Sequence, residues 1–315
     1  MTLSNRSKIK PLRAEEARQL TFRLDFEAIG TTWSVESALL ADSASATDLG
    51  DAISAKIEVF DRAYSRFRDD SLVSAMARRA GWYDLPKDAA PMLAIYRRLY
   101  DLTAGAMTPL IGQVLSDTGY DAHYTLRPGT PIPPSDWDDI LEYQSDGRLL
   151  MHRPALLDFG AAGKGYLADQ LGDIMMAHGC LDFCIDAGGD IVRQGSGSLR
   201  VGLEHPDAAG QVIGVANLAI GALCGSAGNR RTWGQYHHVI DPHKLASPRH
   251  IQALWVYAAD GLTADALSTA LFFVSPSRLA DEFEFEYAII SQDMKLARSP
   301  GFPAEFFMAT REGDL

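Results

Sequence analysis

Cysteine is scarce in this chain, cationic side chains are outnumbered, and no long apolar run occurs. The three cysteines, Cys180, Cys184 and Cys224, are odd in number and lack metal-ligand spacing, which excludes a disulfide scaffold and a zinc site. Cys180 and Cys184 lie in the apolar stretch "GCLDFCID" and read as buried small hydrophobes. Lys and Arg number 29 against 41 Asp and Glu, for a net charge of −12. Such a surface repels phosphate backbones, so nucleic acid is not expected as a partner. No run of about 18 apolar residues is present, so no membrane insertion is expected. The opening "MTLSNRSKIKPLRAEEARQLTFRL" is positively charged, but no apolar segment follows. The expectation is therefore a cytoplasmic protein without a signal peptide. Also missing are a P-loop, a G-x-G-x-x-G opening a helix, a G-x-S-x-G elbow and H-E-x-x-H, with the chemistries those motifs support.

What is there reads as an ordinary globular chain: 315 residues, 47% hydrophobic and 22% charged. Residues 1–20 read as a polar lead-in, and 21–315 as the folded part. The proline-rich stretch 117–137 is the best internal break, separating two possible sub-lobes. "TFRLDFEAIGTTWSVESALL" predicts two strands turning at Gly30. Leu49, Ile53, Ile57 and Phe60 keep helical spacing, with Thr47 or Asp48 as the expected cap. A further helix is expected up to Thr103, and a hairpin through Asp146-Gly147 followed by a buried strand ending at "LLDFG". "GYLADQLGDIMMAHG" predicts a helix stopped by Gly179, and "LDFCIDAGGDIVRQG" a strand, a Gly-Gly turn and a strand. Strands continue through "LRVGLEHP" and "VIGVANLAIGALCGSAG" and at "ALWVYAA", a helix covers "TADALSTALFFVSP", and "EYAIISQDM" closes with a strand. Helices segregate from strand runs, so the fold class is α+β with largely antiparallel sheets flanked by helices.

Four segments carry candidate chemistry. In "LLDFGAAGKGY", Asp158 and Lys164 bracket four small residues. This is either a strand, turn and helix, or an anion site built from backbone N–H groups and a lysine. In "GLTADALSTALFF", Thr263 is the expected N-cap, and Asp265 and Thr269 stand four apart on one helix face, with Ser268 beside Thr269. Their oxygens make half of a hard-cation site, or else belong to a capped surface helix with an acidic first turn. "YHHVIDPHK" offers histidine as a general base, with Asp241 able to bond a backbone group or the imidazole. "DAGGD" and "AIGTTWS" read as turns with positive-φ glycines or as ligand-lining loops, the tight turn being favoured for "DAGGD".

Taken together these blocks resemble the ApbE-type flavin transferases (FAD:protein FMN transferases) over roughly residues 25 to 275. "AIGTTWSVE" is similar to the family's Met-Gly-Thr block. "FDRAYSRFRDDSLVSAM" is similar to its helix with Ser-x-Tyr-x-x-x-Ser, and "LTAGAMTPLIG" to its Gly-Ala-Phe-Asp-Pro block. "LDFGAAGKGYLAD" and "IDAGGDI" are similar to its lysine and Gly-Gly-Asp blocks. "HVIDP" and "ADALSTALF" match its last two motifs almost letter for letter.

The resemblance implies an ApbE-like fold, Mg²⁺ as cofactor and FAD as substrate. It also implies transfer of FMN to a threonine hydroxyl of an acceptor flavoprotein with release of AMP. Its alternatives are an FAD pyrophosphatase and a non-catalytic FAD-binding protein. It implies Asp265 and Thr269 side chains and the Ala161 carbonyl as metal ligands, and His238 as general base. Asp158 and Lys164 would contact FAD, and Ile29, Phe67, Ala106, Met107, Thr108 and Ile240 would line the flavin and adenine pocket. The chain departs from the family pattern at the pocket. Met107-Thr108 stands for Phe-Asp, Ile29 for Met and Phe67 for Tyr, Ala162 is smaller than usual, and "DPHKLAS" lacks the usual glycine.

Overall fold

The computed structural model of the chain describes residues 22–37, 43–144, 147–229 and 231–307. The polar lead-in of residues 1–20 and Asp146 lie outside the described residues. Strands β1 (Phe22–Ala28) and β2 (Thr31–Ser37) pair antiparallel, with Ala28 opposite Thr31. Two residues, Ile29 and Gly30, therefore make the turn, both at positive φ (50° and 67°). A β-branched residue in that region is strained; glycine is not. Helix α1 (Ser43–Tyr64) buries Leu49, Ile53 and Phe60. It begins at Ser43, so Thr47 and Asp48, expected as caps, lie inside it.

Helix α2 (Leu72–Arg78), strand β3 (Gly81–Asp84) and helix α3 (Ala90–Leu102) follow. After α3 the chain turns at Gly105 (φ 86°) into a 3₁₀ turn, Pro109–Ile111, and the short α4 (Gly112–Asp117). Residues 120–136 form neither helix nor strand. Helix α5 (Trp137–Ile140) leads into the hairpin of β4 (Leu141–Tyr143) and β5 (Arg148–Met151), and β5 also pairs with β3. The strand expected at Leu156–Phe159 does not form. That segment is threaded between single carbonyls, Ala155 N–H donating to Met76 O and Asp158 N–H to Pro109 O, and it meets no strand.

Helix α6 (Gly163–Ala177) ends before Gly179, at φ 78° as a C′ glycine requires. Strands β6 (Phe183–Asp186) and β7 (Ile191–Gln194) join through the Gly188-Gly189 turn. Then come β8 (Leu199–Glu204), β9 (Val212–Leu218), β10 (Gly221–Ala227), the small hairpin β11 (Thr232–Trp233) and β12 (Tyr236–His237), and β13 (Ile251–Ala258). Helices α7 (Gly261–Ala270) and α8 (Pro276–Ala280) precede β14 (Glu286–Ser291). The chain does not close on that strand: β15 (Leu296–Arg298) and β16 (Ala304–Phe306) follow, each only three residues long.

The fold is α+β. An eight-stranded sheet runs in the order β1-β2-β6-β7-β10-β13-β14-β15, every pair antiparallel. Strand alternation sends side chains to two cores. Ala222, Cys224, Leu254 and Val256 point to the large core under α1, α6 and α7. Leu223, Ala288 and Ile290 point to a second core against the three-stranded sheet β16-β9-β8, where Val201 and Leu203 meet them. No cysteine among the described residues is in a disulfide; Cys180 is buried, as expected of a small hydrophobe, as is Cys224, whereas Cys184, also expected to be buried, is only half-buried. No described helix is long and apolar enough to cross a membrane.

Helices α6 and α7 meet backbone to backbone. A Cβ on Gly165 would stand 1.9 Å from the Gly261 carbonyl oxygen, so only glycine fits. Gly165→Ala is expected to lower the urea unfolding free energy by about 1–3 kcal/mol, the cost of overpacking. The control Gly50→Ala sits in the α1 interior with no atom within 4 Å of its Cβ. It is expected to raise stability by about 0.5–1 kcal/mol through helix propensity. Equal midpoints for the two variants would refute the backbone contact.

Candidate active site

The site starts at the bend between Asp158 and α6. Asp158 Oδ1 accepts the Gly160 N–H at 2.8 Å, and Oδ2 accepts Arg66 Nε at 2.5 Å. Arg66 is buried, donates Nη1–H to the Tyr120 carbonyl at 2.6 Å, and lies 4.2 Å from the Phe67 ring centroid. Asp158 therefore braces the bend against the end of α1 as well as facing the cleft. Sequence reasoning passed over Arg66; an arginine beside Phe67 carries no local sign of a partner 92 residues away.

Lys164, in the first turn of α6, is the centre of the site. Its ammonium lies 2.8 Å from Asp190 Oδ2 and 2.9 Å from Asp265 Oδ1. Both carboxylates are nearly inaccessible, at 5% and 3% side-chain exposure, so each needs its partner. Their other oxygens take backbone donors, Gly225 N–H to Asp190 and Gly165 N–H to Asp265. The anion at the start of α6 is thus the protein's own Asp265. Burial pushes the Asp265 carboxyl up to about 6; Lys164 opposes this and Asp190 adds to it. Burial alone lowers Lys164, but the two carboxylates outweigh it and hold the ammonium above its ordinary value. The sequence "DAGGD" predicts Asp190 as part of a tight turn. The turn is real, with Gly189 N–H on Asp186 Oδ1, and Asp190 leaves it pointing at Lys164.

Helix α7 is held in place by α6. Asp169 accepts Gly261 N–H at 2.7 Å and Leu262 N–H at 2.8 Å, while burial pushes its carboxyl up to about 7. The N-cap is Asp260, whose Oδ1 accepts Thr263 N–H, and not Thr263 itself. Nor is α7 a surface helix: Ala264, Asp265, Ala266, Leu267 and Ser268 are all buried. Ser268 is spent inside, donating to the Asp265 carbonyl and paired with Ser226, whereas Thr269 faces the cleft.

That cleft, about 2690 Å³, brings the predicted residues together from segments far apart in sequence. Asp158, Ala161, Lys164, Asp265 and Thr269 line it with His238. Ile29, Phe67, Met107, Thr108 and Ile240 line it too, while Ala106 lies outside the lining. Thr108 Oγ1 accepts Leu110 N–H and caps the 3₁₀ turn. Aspartate caps equally well, so threonine keeps the turn and removes the charge. The two histidines divide. His237 is buried, its Nδ1 accepting Val239 N–H and its Nε2 facing the Pro248 carbonyl, which makes it a neutral structural ring. Asp241 bonds the His243 and Lys244 backbone N–H groups.

The residue types in this part of the cleft suit a hard divalent ion. Asp265 and Asp190 offer carboxylate oxygens at Lys164, and Thr269 and Ala161, which line the same cleft, carry a hydroxyl and a backbone carbonyl, all hard oxygen ligands. A cation, the Lys164 ammonium, already sits between the two carboxylates. Among the described residues no three His, Cys, Asp or Glu side chains group as a metal cage, so such an ion would depend on backbone, hydroxyl and substrate oxygens.

The ApbE family model matches residues 29–288. The FAD:protein FMN transferase of Treponema pallidum (strain Nichols) is 27% identical over 239 residues, 65% of this chain and 65% of that protein's length. The FAD:protein FMN transferase of Haemophilus influenzae is 24% identical over 262 residues, 74% of this chain and 72% of the relative. Among solved structures, the ApbE protein of Thermotoga maritima superposes with a TM-score of 0.75 at 21% identity, over 91% of this chain and 100% of that one. Flavin transferase ApbE from Vibrio cholerae gives 0.74 at 19%, over 89% and 97%. At such identities these structures establish the shared fold.

Burial holds His237 below the ordinary histidine value, with the nearby Arg249 charge acting the same way. The unfolded chain then binds this proton first as pH falls, so stability is lost as pH drops through about 6.5. His237→Gln is expected to flatten the decline in melting temperature between about pH 7 and 5. An unchanged slope would show that His237 is not buried neutral.

Proposed function

Because the chain belongs to the ApbE family, we propose that it transfers FMN from FAD to a threonine hydroxyl of an acceptor flavoprotein in a Mg²⁺-dependent reaction that releases AMP. The observation that carries this reading is the convergence on one cleft of Lys164, Asp265, Thr269, Ala161 and His238, drawn from separate segments. The cleft exceeds the roughly 300–1,000 Å³ of a typical small-ligand pocket, which suits a dinucleotide together with part of an acceptor. His238 takes the proton of the acceptor hydroxyl as its oxygen bonds to the FMN-side phosphorus. The bond from that phosphorus to the bridging oxygen breaks, and AMP leaves with that oxygen. Lys164 supplies positive charge where the phosphoryl oxygens gather negative charge. Asp265 and Thr269, with the Ala161 carbonyl, would hold Mg²⁺, whose contribution is to neutralise the diphosphate. Phe67, Ile29 and Ile240 give the flavin apolar and aromatic surface.

The test is incubation with FAD, Mg²⁺ and an acceptor flavoprotein, following AMP and FMN by chromatography. AMP release that needs both Mg²⁺ and acceptor is expected. Release without acceptor would replace transfer by pyrophosphatase activity, and FAD binding with no AMP would leave a binding protein. Asp265→Asn is expected to slow AMP release by about 10²–10³-fold, the usual loss for one electrostatic contact to a transition state. His238→Ala is expected to lower kcat by about 10²–10⁴-fold with little change in FAD affinity. Equal losses in both quantities would make His238 a binding residue.

A further inference from the structure

Two buried carboxylates share a single ammonium in this structure, so the trio of Asp190, Lys164 and Asp265 carries one uncompensated negative charge. The arrangement leaves no slack. Asp265 Oδ2 is committed to Gly165 N–H and Asp190 Oδ1 to Gly225 N–H. The remaining oxygens, Asp265 Oδ1 and Asp190 Oδ2, are the two that Lys164 holds. A divalent cation bound by Asp265 therefore shares its carboxylate with the Lys164 ammonium, and two cations on one carboxylate repel in a low-dielectric site.

We propose that Lys164 is a resident counter-ion that exchanges with the divalent cation. The ammonium neutralises Asp265 and Asp190 until the cation takes its position, and it then turns outward to the diphosphate of the dinucleotide. Asp190 has a role here beyond its turn: it holds the ammonium, and it remains as a second carboxylate for the incoming charge. This rests on the flavin-transfer reading for the identity of the diphosphate. The exchange itself concerns only the three side chains and a cation.

The exchange is read by titrating MnCl₂ into the full chain without FAD, followed by calorimetry and by the electron paramagnetic resonance signal of free Mn²⁺. Lys164→Met removes the competitor and is expected to bind Mn²⁺ at least tenfold more tightly than the wild type. Asp190→Asn leaves one carboxylate for one ammonium and is expected to bind at least tenfold more weakly. The double variant Lys164→Met, Asp190→Asn is expected to lose the gain of Lys164→Met. Should Lys164→Met fail to fold without metal, Mn²⁺ is expected to restore its circular dichroism spectrum, and Asp190→Asn still reads the opposite direction. Unchanged affinity in both single variants, or a shift in the same direction, overturns the proposal. AMP release from FAD and acceptor with unchanged Mn²⁺ affinities would sink the exchange and spare the transfer reading. The expected affinities without AMP release in the wild type would do the reverse.

Discussion

One ammonium shared by two buried carboxylates ties this protein together. Lys164 comes from the start of α6, Asp190 from the turn before β7 and Asp265 from the second turn of α7. Removing one partner of such a group typically costs about 3–5 kcal/mol, because the charges left behind have no water to turn to. The surrounding structure is organised around avoiding that outcome. Gly165 and Gly225 supply backbone donors to the carboxylates, and Asp169 fixes the first turn of α7 from the α6 side. The same three charges line the cleft, so the interaction that stabilises the fold is also part of the candidate site.

The architecture was legible wherever periodicity or turn chemistry was local. Alternation in β10, β13 and β14 and the positive-φ glycines at 179, 188 and 189 are written in short stretches of sequence. Reading failed where a long-range partner decided the outcome. Leu156–Phe159 has the apolar character of a strand, yet the Asp158 amide goes to the Pro109 carbonyl of the 3₁₀ turn, and the Ala155 amide just before it to the Met76 carbonyl of α2. A helix boundary also departs from its local signal: Thr47 and Asp48 are good caps by residue type, but α1 begins at Ser43.

The candidate site followed the same division. Asp265 and Thr269 at helical spacing, and Lys164 after small residues, line one cleft. Asp190 looked like a turn residue because its partner lies 26 positions back, and Arg66 gave no hint of Asp158. Of two adjacent histidines and two adjacent hydroxyls, only burial in the folded chain separates His238 and Thr269 from His237 and Ser268. The departures at Met107 and Thr108 fall on buried positions, where Thr108 preserves the local cap while carrying no charge into the cleft.

The backbone contact between Gly165 and Gly261 has a mechanical consequence. Helices that touch main chain to main chain cannot slide or roll past each other without a collision, so the backbones that carry Lys164 and Asp265 keep a fixed spacing and an exchange of partners is left to the lysine side chain alone. Among the described residues no such clamp joins the β1–β2 turn to the stretch it touches: there the strained Ile29-Gly30 tip meets the irregular residues 120–136 through a side chain, the Tyr124 hydroxyl against Gly30.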